Sequence, residues 1–458
     1  MQTIQVGLIG LGNVGTGVVQ ILQQQAGLIA ERLGARLELK RVATQHPDRE
    51  RAVQLPPAQL TGDAMEVLHD PEIAIVVELV GGYEPARTYL LTALQQGKHV
   101  VTANKALLAR HGREIFQTAS DLGRDIGFEA SVGGGIPVIR IIKEGFVANH
   151  FLSISCIING TTNYILSKMS DQGLDFQAVL QEAQALGYAE ADPSFDVDGI
   201  DAAQKIALLA SLAFGSWVPY EDIYTEGISG LSQLDIAYAR ELGYRVKLLA
   251  LAKMADGRLD VRVHPALVAA DSWLAHVNGV YNAISIRGDV VGRNMLIGRG
   301  AGAFPTGSAV VGDIVDVARN ILKDSSGRVP PQSYQDQSLQ DLPLQDVDDV
   351  VCKYYLRFQV VDQPRVLATI AGILGEHAIS IESVLQKGRG HVQGAPVSVV
   401  MMTHEARERS VRKALQAIAT LPTIQGETVR LRVEETEEEE SGGRGDAETS
   451  LSRVGLQL

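Results

Sequence analysis

Along the N-terminal third, short apolar runs alternate with stretches of helical periodicity. "IQVGLIG", "LELKRVA", "IAIVVELV", "KHVVTAN" and "DIGFEASV" read as strands, each separated from the next by a helix-like segment. Strands spaced by helices predict parallel βαβ units, an α/β unit of the Rossmann type. From about residue 150 the pattern becomes α+β. "FLSISCIIN", "LDVRVHPALV" and "YNAISIRG" read as strands, and "DAAQKIALLASLAF" as an almost wholly apolar helix. "GSAVVGDIVDVARNILKD" sets Val310, Ile314, Val317 and Ile321 along one helical side. A polar, proline-containing stretch follows, and then a strand–helix–strand pattern from "YYLRFQVV" to "VRLRVEE". The expected organisation is therefore a first unit at 1–132 completed by 303–323, and a second at 133–302. A linker at 324–349, a third unit at 350–434 and an acidic tail at 435–458 complete it.

Composition narrows the function classes. At 458 residues the chain has material for two or three cores, and its net charge of −13 argues against bulk nucleic-acid binding. The run of glutamates around 434–440 contributes to that charge and reads as a solvated, disordered end. No apolar run reaches 18 residues and no signal peptide precedes the first strand, so no membrane partner is expected. Cys156 and Cys352 sit far apart in apolar surroundings, which suits free thiols in a reducing cytoplasm.

Two stretches carry candidate chemistry. Gly10, Gly12 and Gly15 form a GxGxxG between the first strand and a helix, the pattern that brings backbone N–H groups and a helix N-terminus to a pyrophosphate. The second strand ends at Thr44 and Gln45 rather than at an acid that would hold a ribose 2′-hydroxyl. Arg49 and Arg51 follow, so NADP or dual use is favoured over strict NAD. The other stretch is "EAQALGYAEADPSFDVDGIDAAQKIALLA". There Asp201 and Lys205, four residues apart, share one face of an otherwise apolar helix. As a surface pair they would be unremarkable; beside Glu190, Asp192, Asp196 and Asp198 they read as a site. Lys105, just beyond the "VTAN" strand, lies where strand ends line the ligand crevice of an open sheet.

With "GLGNVG", "KHVVTANKALLA", "FEASVGGGIPVI", "IINGTTNYIL", "GYAEADPSFDVDGIDAAQK" and "GRGAGAFPTGSAV" in this order, the chain from residue 1 to about 434 resembles homoserine dehydrogenase. The resemblance is to the monofunctional kind that ends in an ACT (βαββαβ) domain. It implies NAD(P)-dependent interconversion of L-homoserine and L-aspartate 4-semialdehyde, in the branch of amino-acid biosynthesis that leads to threonine, methionine and isoleucine. Lys205 is then the proton donor or acceptor at the substrate oxygen, Asp201 its orienting partner, and Lys105 a contact to cofactor and substrate that shares the proton work. Glu190, Asp196, Tyr188, Gly160 and Thr161 fall at substrate-binding positions. Gly10, Leu11, Gly12, Asn13, Val14, Gly15, Val80, Gly187 and Gly302 fall at cofactor positions. Glu129, with the carbonyls of Val132, Gly134 and Ile136, matches a monovalent cation site of the family, with sodium the expected ion. The general chemistry agrees, since a hydride added to an aldehyde builds negative charge on oxygen and calls for a cation or proton donor beside it.

The chain opens directly on the dinucleotide unit, so a bifunctional arrangement with an upstream kinase is not expected. A homodimer or homotetramer is. A catalytically dead, amino-acid-responsive regulator is the alternative, and the presence of Lys105, Glu190, Asp201 and Lys205 argues against it. A dehydrogenase for a related amino acid is a third reading, disfavoured by the whole 182–210 stretch.

One departure from the resemblance concerns control. ACT domains commonly carry an Asp-x-Pro-Gly turn near the effector pocket; here Asp362 and Pro364 are followed by Arg365. Arginine there would obstruct an amino-acid effector or pair with its carboxylate, and obstruction is the expectation. The fold is expected to survive if the turn has ordinary helix-start geometry, with Val366, Leu367, Ile370 and Ile373 as the buried helical face.

Overall fold

The alternating N-terminal pattern folds as a six-stranded parallel sheet. Its strands are β1 (Thr3–Ile9), β2 (Arg36–Ala43), β3 (Leu60–Thr61), β4 (Ile73–Glu78), β5 (His99–Thr102) and β6 (Ile126–Gly127), in the order β3-β2-β1-β4-β5-β6. The order reverses between β1 and β4, and such a switch point is where an open α/β sheet binds its ligand. The computed structural model describes residues 1–47, 49–387 and 396–434, and the expected acidic tail lies outside them. The described chain divides into two compact units. The first comprises Met1–Gln233, Leu248–Pro265 and Val277–Val350.

Ile4, Val6 and Leu8 of β1 and Ile75 and Val77 of β4 pack against Val18 and Val19 of the Asn13–Gln24 helix. Val310, Ile314 and Val317 of the Ala303–Leu322 helix join the same core. The late helix thus completes the first sheet's covering layer, as its periodicity predicts. "DIGFEASV" forms less strand than expected: β6 spans two residues and Glu129–Ser131 is a single 3₁₀ turn.

The rest of the first unit carries helices on a mixed sheet. Its strands β7 (Phe151–Ile157), β9 (Tyr244–Ala255), β10 (Arg258–Ala269), β11 (Tyr281–Gly288) and β12 (Gly292–Arg299) run in the order β12-β11-β7-β9-β10, with the short β8 (Tyr224–Thr225) beside β10. Of β9 and β10, only Leu248–Pro265 belongs to this unit. The Ile200–Phe214 helix is buried from Asp201 to Phe214, as a helix apolar all round must be. Residues 324–349 contain little regular structure yet are tied down. Tyr334 Oη donates to the Ala213 carbonyl at 2.9 Å, and Gln340 bridges to Ser216.

The second unit holds a βαββαβ arrangement: β13 (Val351–Val361), the Val366–Glu376 helix, β14 (Ile381–Gln386), β15 (Pro396–Thr403), the Glu408–Ala419 helix and β17 (Val429–Val433). The two-residue β16 (Ala406–Arg407) lies beside β13. The four longer strands are antiparallel neighbours in the order β17-β13-β15-β14. This unit is larger than the stretch 350–434, because Leu234–Lys247 and Ala266–His276 belong to it. Asp235 explains part of that membership: fully buried, it accepts Arg357 Nε at 2.6 Å and Tyr355 Oη at 3.1 Å. In the first helix of this unit Val366, Ile370 and Leu374 face the core. Leu367 points outward, contrary to the expected face, and Ile373 is only partly covered. The turn before it is not ordinary helix-start geometry either. Arg365 has φ +74° and ψ −11°, the left-handed region where a glycine is at ease and an arginine is strained.

Candidate active site

The glycine loop is shaped by close backbone approach. A β-carbon on Gly15 would lie 2.2 Å from the Gly10 carbonyl oxygen, so only glycine lets the helix start this near the strand. At Gly12, by contrast, nothing stands within 4 Å of such an atom, and the loop is open there. Asn13 and Val14 begin the helix behind it, and no side chain caps its N-terminus. A cavity of about 230 Å³ lies over the loop, lined among others by Gly10, Leu11, Gly12, Thr44, Arg49 and Val80. Four cofactor candidates thus share one wall. Free N–H groups and a helix N-terminus at an open loop fit a dinucleotide pyrophosphate.

Arg51 at this cavity is largely committed, through four of its five N–H groups. Its Nε donates to the Leu11 carbonyl at 3.1 Å, and its terminal nitrogens to Thr44 Oγ1 and the carbonyls of Arg49 and His46 at 3.1, 2.7 and 2.7 Å. It struts the end of β2 against the glycine loop. Arg49 is exposed, with no side-chain bond among the described residues.

The second constellation gathers on Asp201. Gly199, left-handed at φ +85°, turns the chain into the Ile200–Phe214 helix, so Asp201 lies in its first turn and Lys205 one turn on. Lys205 Nζ donates to Asp201 Oδ2 and to the Ile158 carbonyl, each at 2.7 Å. Lys105 Nζ lies 3.1 Å from Asp201 Oδ1 and 5.5 Å from the centre of the Phe195 ring. Lys105 begins the helix after β5. Asn104 caps that helix through Leu107 N and ties it to the Gly82 carbonyl in the loop after β4, at 3.1 and 2.7 Å. One buried carboxylate therefore holds two ammonium groups, the arrangement a buried charge requires.

The electrostatics follow from that placement. Burial pushes the Asp201 carboxyl up, but the charges of Lys205 and Lys105 and the bonds from Lys205 and Asn159 outweigh it, leaving it at about 2. Burial lowers the Lys205 ammonium and Asp201 opposes the shift, with a net fall below the ordinary lysine value. Asp196 is raised, chiefly by burial.

Other candidates are less directly joined. Asn159 Nδ2 donates to both Asp196 Oδ1 and Asp201 Oδ2, at 2.7 and 2.9 Å, so Asp196 enters the cluster through it. Gly160 opens the helix that Asn159 caps, and Thr161 Oγ1 donates to the Tyr188 carbonyl at 2.7 Å. The Tyr188 ring stacks edge-on with Tyr164, 5.1 Å between centres. Glu190 is exposed, and its carboxylate makes no bond among the described residues. Asp192 accepts Ser194 N at 3.1 Å, and Asp198 meets Ser229 Oγ at 3.4 Å, both local supports rather than members of the cluster. Gly187 lies in an exposed left-handed turn. Gly302 caps the Ala303–Leu322 helix, whose first residue packs on Gly17 of the glycine-loop helix. From the sequence, the polar stretch 159–163 suggests a substrate carboxylate contact or turn capping. The bridging of two acids by Asn159 and the use of the Ile158 carbonyl were missed, a capping Asn just after a strand being the available signal.

Glu129 is buried and forms no ion pair among the described residues. Its two carboxylate oxygens accept Ile139 N and Arg140 N at 2.8 and 2.9 Å, leaving one lone pair on each. The glycine loop beyond it is fixed by Gly135 N donating to the Arg299 carbonyl at 3.2 Å, and Ile136 O accepts Val138 N at 2.8 Å. A carboxylate and backbone carbonyls are the kind of donors a singly charged hard cation takes. Among the described residues no three His, Cys, Asp or Glu side chains cluster as metal ligands.

Comparisons with known proteins agree with this layout. Family models described as the NAD-binding domain of homoserine dehydrogenase, as homoserine dehydrogenase and as the ACT domain match residues 10–129, 137–315 and 354–423. A homoserine dehydrogenase of Pseudomonas aeruginosa is 46% identical over 95% of this chain and all of its own length. The crystal structure of a homoserine dehydrogenase from Thiobacillus denitrificans is 44% identical with a TM-score of 0.89, covering 95% of this chain and 99% of that one. A hyperthermophilic archaeal homoserine dehydrogenase, solved in complex with NADPH, is 25% identical with a TM-score of 0.58 over 70% of this chain and 98% of its own. These similarities favour an enzyme over an inactive regulator. No helix among the described residues is long and apolar enough to cross a membrane.

Proposed function

This chain belongs to the homoserine dehydrogenase family, oxidoreductases that interconvert L-homoserine and L-aspartate 4-semialdehyde, and on that premise we propose how its residues divide the work. The observation that carries the reading is the buried Asp201 carboxylate shared by Lys205 and Lys105. A bound nicotinamide cofactor supplies the hydride in the reductive direction and takes it up in the other. Lys205 gives a proton to the aldehyde oxygen as negative charge develops there, and removes it in reverse; burial lowers its pKa and eases that exchange. Asp201 keeps Lys205 charged and aimed, and Lys105 adds positive charge on the same side. Glu190, with its uncommitted carboxylate, and Asp196 hold the substrate ammonium, while the helix N-terminus at Gly160 and Thr161 receives its carboxylate.

The open glycine loop takes the pyrophosphate, and NADPH serves at least as well as NADH, because Thr44 and Gln45 rather than an acid follow β2. The NADPH-bound archaeal relative supports that choice. Glu129 with the carbonyls of Val132, Gly134 and Ile136 would hold a monovalent cation, fixing the loop packed beside the chain at Arg299. The reaction feeds threonine, methionine and isoleucine formation in the cytoplasm. The chain works as a homo-oligomer of at least two copies, which light scattering above the 49.2 kDa monomer mass would register.

Lys205→Ala tests the central assignment. Turnover should fall by at least about 10²-fold, the usual contribution of a positioned proton donor, with NADPH binding retained. Near-native turnover in the folded variant would move the proton to Lys105 or to water.

A further inference from the structure

Asn159 uses every hydrogen-bonding group of its side chain. Oδ1 accepts Thr162 N at 2.8 Å and Thr162 Oγ1 at 2.9 Å, which caps the Gly160–Gln172 helix. Two donors facing that oxygen fix which way the amide points. Nδ2 is thereby turned toward the acids, with one N–H for Asp196 Oδ1 at 2.7 Å and the other for Asp201 Oδ2 at 2.9 Å. The same Asp201 oxygen accepts Lys205, whose second partner is the carbonyl of Ile158, next to Asn159 in the chain. The side chain is buried, so water does not stand in for it.

We propose that Asn159 is a positioning residue of the reaction: its amide holds the Asp196 and Asp201 carboxylates ionised at a fixed separation, so that Lys205 stays aimed at the substrate oxygen. The proposal rests on the roles given above to Lys205, Asp201 and Asp196. Its physical basis is the repulsion of two buried carboxylates, which drives one of them to take up a proton. A lysine or arginine between them would remove that repulsion but would compete with Lys205 for Asp201. A neutral group with two N–H donors satisfies both acids and leaves the site's charge unchanged.

Two substitutions separate this role from capping. Asn159→Asp is isosteric and keeps the capping oxygen, while Asn159→Ser keeps a capping hydroxyl; neither offers two donors to the acids. Asn159→Ser should melt near the wild-type temperature and Asn159→Asp lower, since it adds a third buried carboxylate, and both should bind NADPH with unchanged affinity. Their kcat/KM for aspartate semialdehyde should fall ten- to about a hundredfold, the scale of hydrogen bonds to charged groups. The acid limb of the pH–rate profile should move to higher pH, because Asp196 and Asp201 become harder to ionise. Wild-type rate and profile in either variant would overturn the proposal. So would a rate loss with an unmoved acid limb, or failure of both variants to fold, since either would make the residue structural only. Lys205→Ala with normal turnover would instead overturn the proton-donor assignment on which the proposal rests.

Discussion

Replacing Asp201 by asparagine removes one negative charge and almost no volume from between two ammonium groups. Its Oδ2 is 2.7 Å from Lys205 Nζ, and both side chains are nearly inaccessible to solvent. A neighbouring opposite charge at this range shifts a pKa by about 1–3 units. At roughly 1.4 kcal/mol per unit this is ~1.4–4 kcal/mol, in line with a charge pair about 4 Å apart at an effective dielectric near 20. The Lys105 side chain is about a third exposed, so its share of the lost attraction is screened and is left out. The Lys205 ammonium, already lowered by burial, should therefore fall further in the variant. Reduction needs that proton, so the alkaline limb of kcat/KM for aspartate semialdehyde should move down by about 1–3 pH units. Initial rates of NADPH oxidation across the pH range measure this directly. Stability supplies a second readout. The folded Asp201 carboxyl lies at about 2 against an ordinary 3.8, so its contribution is present above pH 3.8 and lost as the pH falls through about 2. The wild type should lose on the order of 2 kcal/mol across that window and the variant should not. An alkaline limb in the wild-type position would mean that Asp201 does not govern the proton on Lys205.

The two arginines after β2 should separate by role. Arg49→Ala should raise KM for NADPH and leave NADH unaffected, whereas Arg51→Ala should weaken both by loosening the glycine loop; equal use of NADPH and NADH after Arg49→Ala, with wild-type KM values, would remove Arg49 from 2′-phosphate recognition. Arg365→Gly relieves a left-handed arginine at about 1 kcal/mol, partly offset by the freer unfolded glycine chain, so denaturant unfolding should find stability unchanged or raised. In wild type threonine should inhibit weakly or not at all; strong inhibition abolished in the glycine variant would show that Arg365 binds the effector. Sodium should raise the melting temperature of the wild type more than that of Glu129→Gln, and an equal response in both would take Glu129 out of the cation site.

What was legible in the sequence was what repeats or lies close along the chain. Strand–helix alternation and the i,i+4 spacing of Asp201 and Lys205 are local, and the structure realises both. Lys105 could be placed at a strand end from sequence, but its 3.1 Å approach to Asp201 depends on tertiary contacts that periodicity does not encode. Asn159 was hidden for a related reason: a capping asparagine has a local explanation, which conceals the second use of its amide. Arg51 read as a phosphate ligand because a charge after β2 suggests one, yet backbone carbonyls and Thr44 occupy its donors. The dihedral of Arg365 could not be read from composition, since arginine itself favours negative φ. Recruitment of Leu234–Lys247 to the second unit likewise turns on the burial of Asp235 by side chains more than a hundred residues away.

The charge balance of the site accounts for its composition. Stabilising a developing oxyanion calls for positive charge, yet the surrounding sequence is rich in acids. Burial disfavours the Lys205 ammonium. Asp201 opposes that, but Lys205 and Asp201 together are neutral and would offer the oxygen little. Lys105, reaching the other carboxylate oxygen, restores a net positive charge of one, which is the charge the oxyanion needs. Asp196, bonded to the neutral Asn159 amide, keeps its own charge and also acts on Lys205; on the proposed roles the substrate ammonium would offset it. On the proposed roles the acids keep one lysine protonated and receive the substrate's amine, and the cationic character needed for the hydride step comes from adding Lys105 to a pair already in balance.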